Sequence, residues 1–110
     1  MRDIPLKDLK HLSPFKEYVW SSFRTPIRKT EIRREITKGN FLGHRAWSQR
    51  SHCSRIDHIR RIAFLVVHGW TSPIKVNIKE GYLPDGNHRP AAALFRGDSH
   101  IKSVVTRQIG

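Results

Sequence analysis

Residues 83–98 read LPDGNHRPAAALFRGD, and this stretch decides the fold. Asp85 and Gly86 break a short strand, and Pro90 to Phe95 can be helical because proline is tolerated in a first helical turn. Gly97 stands where a glycine can cap that helix. A glycine at the end of a strand lets the backbone turn sharply and approach a ligand, and the following helix directs unpaired N–H groups at whatever sits there. An anion is the natural occupant. Arg89 can add a charge-assisted, bidentate contact and His88 a further donor. Asn87 either caps the helix or touches the ligand, and Ala91, Ala92 and Ala93 allow the helix to lie close against a sheet.

The flanks extend this into a mixed α/β arrangement. Upstream, Pro73 to Lys79 alternates, with Ile74, Val76 and Ile78 on one face and Lys75, Asn77 and Lys79 on the other, so it predicts a half-buried strand. Glu80 and Gly81 turn the chain into a short partner strand at Tyr82 to Pro84. Before it, Ser54 to Gly69 predicts a helix. Ser54 and Asp57 form a capping pair, Ile56, Ile59, Ile62, Ala63, Val66 and Val67 recur at helical spacing, and Gly69 ends the run. Downstream, Ile101 to Arg107 predicts a β-branched strand.

The first half is less regular. Asp3 to Leu6 reads as a short strand, followed by a Lys-rich turn and an aromatic segment from Phe15 to Phe23. Thr25 and Pro26 resemble an N-cap and a first-turn proline, and Gly39 a C-cap, so Pro26 to Lys38 predicts a basic helix with a thin apolar stripe of Ile27, Ile32 and Ile36. Asn40 to Ser54 has no clear period and predicts a long loop or a short irregular helix.

At 110 residues the chain fits one domain over 1–110, with a basic helix and loop at about 24–54. A formal net charge of +12 favours a polyanionic partner, with a basic surface serving only solubility as the alternative. The excess concentrates from Arg24 to Arg61, where eleven basic residues meet three acids. Within it Arg28, Lys29, Arg33, Arg34, Arg45 and Arg50 are candidate phosphate contacts. Trp47 either stacks on a base or pins the loop to the core. Cys53 is the only cysteine, which excludes an internal disulfide and suits a reducing compartment. The N-terminal residues carry no apolar signal region, and no apolar run reaches membrane-spanning length, so the expectation is a cytoplasmic protein with no membrane partner. His44, His52, Cys53, His58 and His68 do not repeat a zinc spacing, and no structural metal is expected.

Residues 83–98 and their surroundings resemble the ParB/sulfiredoxin-like superfamily, whose members carry a GxxRxxA phosphate motif after a strand; here Gly86, Arg89 and Ala92 fill its fixed positions. The order HIRRIAFLVVHGW (58–70), SPIKVNI (72–78), hairpin, DGNHR (85–89), helix, RGD and IKSVV (101–105) follows the family, and IPLKDL (4–9) is similar to its first strand and turn. The resemblance implies a small mixed sheet flanked by helices, with a phosphate or nucleotide held by Gly86, Asn87, His88, Arg89 and Ala92. ATP or CTP with magnesium is the implied cofactor set. Sulfiredoxins carry a GCHR segment, and Asn87 stands where their nucleophilic cysteine would be, so that activity is not expected. The chain reaches Gly110 without the helix-turn-helix region of chromosome-partitioning ParB proteins, so a sliding-clamp role is not expected either.

The branch that best suits the charge is the stand-alone ParB-like protein of phages and plasmids, which implies DNA binding and nuclease activity. In that reading Asp85, His88 and Arg89 are the candidate catalytic residues. Asp85 either holds a divalent metal or positions water, or it caps the hairpin or helix; His88 protonates a leaving oxygen. Two alternatives remain open: a non-catalytic phage or plasmid protein that binds DNA or inhibits a host enzyme, and a small-molecule kinase similar to the free serine kinase, whose DGxHR segment resembles residues 85–89.

Overall fold

The computed structural model describes residues 1–9, 11–12, 27–84 and 88–106. The aromatic segment at 15–23, the Thr25 and Pro26 start signals, the turn residues Asp85, Gly86 and Asn87, and Arg107 lie outside the described residues. The elements are β1 (Arg2–Pro5), α1 (Leu6–Leu9), α2 (Lys29–Lys38), α3 (His44–Ser48), α4 (Arg55–His68), β2 (Ile74–Val76), α5 (His88–Arg96) and β3 (His100–Val105). The class is mixed α+β, as the sequence predicts.

The three strands pair in the order β1-β3-β2. β1 runs antiparallel to β3, with Arg2 opposite Ser103 and Ile4 opposite Ile101. β2 runs parallel to β3, with Ile74 opposite Ser103 and Val76 opposite Val105. A parallel pair needs a crossover, and α5 supplies it. On β3 only alternate residues, Ile101 and Ser103, are buried, so the sheet packs on one face. Against that face lies a core of Ile4, Leu6, Leu9, Ile74, Val76, Leu83, Ile101 and Ala93 of α5. On its other side α5 presents Ala91 and Ala92 to a second core with Ile59, Ile62, Ala63 and Leu65 of α4 and Ile27 and Ile32. Sheet, α5, α4 and α2 are thereby stacked in sequence. Trp70, just after α4, packs against both cores.

Helix α4 begins and ends where its caps require. The Ser54 N–H donates to Asp57 Oδ2 at 2.9 Å, the Asp57 N–H donates back to Ser54 Oγ at 3.4 Å, and Gly69 takes a φ of 72°. Two of the expected apolar positions, Ile56 and Val67, are exposed instead. Ile56 lies in the first turn. Val66 and Val67 point about 100° apart on a helix, so only Val66 reaches the core.

Two other segments depart from the sequence reading. Helix α2 starts at Lys29, with Arg28 in extended conformation as its N-cap and its backbone N–H donating to Glu31 Oε1 at 3.0 Å. A Glu in the first turn can satisfy the cap N–H without Thr25. Strand β2 ends at Val76, because Asn77 turns the chain: its Oδ1 accepts from the Glu80 N–H at 2.9 Å and its backbone pairs with Tyr82. Asn77 is therefore buried and Ile78 is 53% exposed, the reverse of the alternating pattern. The partner strand at 82–84 reduces to that single bridge.

Three ion pairs fasten α2 and the loop before α4 to α4. Arg55 grips Glu31 with Nη1 to Oε2 at 2.5 Å and Nη2 to Oε1 at 2.7 Å. Arg60 Nε lies 3.4 Å from the buried Glu35, which also accepts from Asn40 Nδ2, and Arg50 lies 3.3 Å from Asp57. The Arg55 hydrogen bonds pull the Glu31 carboxyl from 4.5 down to about 2. A lowered carboxyl contributes stability that is present above its unfolded pKa and lost as pH falls toward the folded value. Glu31→Gln should therefore cost about 1–2 kcal/mol at pH 7, discounted for the pair's partial exposure. Chemical denaturation from pH 7 to 2.5 should show the difference from wild type shrinking below about pH 4.5.

Candidate anion-binding cavity

The first turn of α5 sets His88 and Arg89 beside α4, and the small side chains behind them allow that approach. Nδ1 of His58 and Nε2 of His88 are 2.6 Å apart, with the rings nearly parallel and their centroids at 4.8 Å. One proton lies between them, donated by one imidazole to the other. Trp47 of α3 meets both rings edge-on, at 5.1 Å from His58 and 4.7 Å from His88. Arg89 Nη1 donates to the carbonyls of Ser72 at 3.0 Å and Pro73 at 3.4 Å, tying α5 to the entry of β2.

These groups border an open cavity of about 610 Å³ between α3, α4, the 69–72 segment and the start of α5. Its polar lining includes Arg61, Arg89, His44 and His88; Trp47, Phe64 and Trp70 supply aromatic wall. Arg61 projects from α4 one turn after His58, and its guanidinium donates to the Leu42 carbonyl at 3.4 Å and to His44 Nδ1 at 3.5 Å. A guanidinium has only donors, so His44 accepts there with an unprotonated Nδ1. The Arg61 group also lies 5.6 Å from the Phe64 ring centre.

Among the described residues, the cavity's basic groups depress one another's charged forms. Burial lowers the Arg61 pKa, and the positive charge of Arg89 lowers it further. Burial, the neighbouring His58, and the Arg61 and Arg89 charges push the His88 imidazole down to about 3. Burial lowers His58 as well, with Asp57 acting in the opposite direction. Among the described residues, no carboxylate borders the cavity.

Of the residues expected from the sequence to act at the site, His88, Arg89 and Trp47 meet here. Asp85, Gly86 and Asn87 lie outside the described residues, so their roles as turn, ligand or metal contacts rest on the sequence alone. Ala92 is fully buried against α4, where it sets helix spacing and contributes no surface to the cavity. Trp47 is packed on the two histidines rather than held out as an open stacking platform. Arg50 is drawn into its pair with Asp57. Arg28, Lys29, Arg33, Arg34 and Arg45 are exposed on α2, its N-cap and α3, and Arg33 lies 5.9 Å from the Phe95 ring centre.

Sequence reasoning gave Arg61 and Trp70 no site role and weighed His44 and His58 only as zinc ligands, setting them aside. His58, Arg61 and Leu65 are spaced i, i+3, i+7 and so share a helix face, which was the available signal. Among the described residues no cluster of three or more His, Cys, Asp or Glu is arranged to hold a metal ion, and no helix is long and apolar enough to cross a membrane. Comparison with protein-family models, with curated proteins and with solved structures found no match to this chain.

A histidine kept neutral by its surroundings makes the fold acid-sensitive. The unfolded state takes up a proton near pH 6.5 that folded His88 does not, so stability falls as pH drops through 6.5 toward 3. His88→Asn should flatten this fall. Between pH 6.5 and 5, above the main carboxylate range, the wild type should lose about 1 kcal/mol more than the variant in urea titrations.

Proposed function

We propose that the protein binds the phosphate of a nucleotide or nucleic acid in the cavity between α3, α4 and α5. The observation that carries this reading is the presence of two guanidiniums, Arg61 and Arg89, bordering one cavity, where burial and the Arg89 charge both disfavour the charged form of Arg61. Like charges held together in a low-dielectric setting are stabilised by a bound counter-charge, and arginine forks match phosphate oxygens. The Trp and Phe walls favour a ligand that also carries an aromatic base. The overall charge of +12, with Arg33, Arg34 and Arg45 exposed, supports a polyanion such as DNA continuing from the cavity onto the surface.

The resemblance to the ParB/sulfiredoxin-like superfamily rests on Gly86, Arg89 and Ala92 and on element order, and it is part of this proposal. It implies a phosphate at Arg89, and Arg61, which borders the same cavity, supports a second anchor in this reading. The expected nuclease activity is the second reading, favoured by paired imidazoles beside guanidiniums, groups that can move protons and stabilise charge on phosphorus.

Intrinsic tryptophan fluorescence titrated with nucleotides and single-stranded DNA tests the binding. Arg61→Ala should weaken affinity by about 10–100-fold, the loss expected for a charge-assisted contact. Arg89→Ala should do the same while also loosening the 72–73 segment. Affinity for DNA should fall log-linearly with salt. Unchanged affinity in a folded Arg61→Ala protein would count against the site. Incubation with supercoiled plasmid, with and without magnesium, should give a salt-sensitive gel shift; nicking abolished by His88→Asn would establish the nuclease reading.

A further inference from the structure

We propose that the cavity selects a phosphomonoester, the terminal phosphate of a nucleotide or of a nucleic-acid end, over a phosphodiester, and that the hydrogen-bonded His58 and His88 take up one proton when it binds. The inference rests on the phosphate-binding reading above and deepens it. Three features carry it: two guanidiniums bordering one cavity, a histidine on the same wall, and a second histidine 2.6 Å behind it.

A monoester has three terminal oxygens and carries close to two negative charges at neutral pH, whereas a diester has two non-bridging oxygens and one charge. Arg61, Arg89 and His88 are donors from three positions around the same space. Three donors match the three terminal oxygens of a monoester, where a diester offers two non-bridging oxygens.

The histidine pair supplies the linkage. Without ligand, burial and the two arginines keep His88 neutral. A dianion reverses that field, because its charge offsets Arg61 and Arg89 and favours a proton on the imidazole nearest to it. Proton uptake on His88 turns the imidazole into a two-sided donor, to the phosphate and to His58 Nδ1, which then accepts. His58 is thus a positioning residue that holds the charged ring in place. Among the described residues, the groups facing the pair include His44 and Trp47 from α3, Asp57 and Arg61 from α4, and Arg89 from α5, with Arg50 holding Asp57. Asp57 favours protonation of His58 and the arginines oppose protonation of His88, so the ligand's own charge tips the balance.

The sign of the pH dependence follows. If a proton is taken up on binding, affinity falls as pH rises. The decline should begin above the monoester's own second pKa of about 6, where the free ligand no longer brings the proton itself, at up to about tenfold per pH unit.

The test uses the full chain and isothermal titration calorimetry with methyl phosphate, dimethyl phosphate, adenosine monophosphate, and an oligonucleotide with either a 5′-phosphate or a 5′-hydroxyl. Titration in buffers of different ionisation enthalpy counts protons. At pH 6.5 the monoesters should bind at least about tenfold more tightly than their diester or hydroxyl counterparts, with uptake of close to one proton. A preference seen with both adenosine monophosphate and the oligonucleotide end assigns the site to terminal phosphates in general, and one confined to a single form assigns that source. Folded His88→Asn and His58→Asn proteins should lose the pH slope and most of the monoester preference, while keeping the binding that Arg61 confers. Equal affinity for methyl and dimethyl phosphate, with both abolished by Arg61→Ala, would overturn the inference and leave the phosphate site standing. No binding of any phosphate would overturn both.

Discussion

Two helices approach closely only where the side chains between them are small, and the site depends on that condition at Ala91 and Ala92. Both are fully buried between α5 and α4, against Ile59, Ile62 and Ala63. Their short side chains bring the first turn of α5 near enough to α4 for His88 to reach His58 and for Arg89 to share a cavity with Arg61. Ala93, about 100° further round the helix, faces the sheet. One run of three alanines therefore fixes the distance from α5 to α4 and to the sheet. A bulkier residue at 91 or 92 would have to displace one helix, because core packing leaves little room to absorb added volume.

Negative charge in the basic half of the chain is spent on holding the helices together. Glu31, Glu35 and Asp57 are the three acids between Arg24 and Arg61, and each pairs with an arginine of α4 or of the loop before it. Arg50, Arg55 and Arg60 are thereby occupied. The remaining positive charge falls unevenly. Arg33, Arg34 and Arg45 are exposed, while Arg61, one residue past Arg60, is turned to the cavity side of α4. A helical step of about 100° separates a structural arginine from a site arginine.

That distinction explains what could and could not be read from the residues alone. Helix α4 was legible because its caps and its period agree, and β3 because Ile101, Val104 and Val105 make it rich in β-branched residues. Helix α5 was legible from proline, alanine and glycine placement. The end of β2 was not, since Asn77 satisfies the alternating pattern while its amide group closes a competing turn. At the site, His88, Arg89 and Trp47 stood out by local context. His44, His58 and Arg61 did not, because their meaning arises from neighbours 17 to 30 residues away. A histidine on a basic helix looks like chance until another element places a second imidazole against it.

Arg89 shows how one side chain joins the fold to the site. Its Nη1 bridges two consecutive carbonyls, Ser72 and Pro73, at the entry to β2, so the start of α5 and the start of the strand move as one piece. A guanidinium carries its N–H donors in a rigid fork, and its plane is fixed by the contacts it makes. Bracing the loop therefore orients the group toward the cavity it borders with Arg61 and His88. A lysine would carry the charge and could reach the carbonyls, but its ammonium would offer no rigid planar edge toward the cavity. The contacts that brace the fold at this residue also set its orientation beside the cavity.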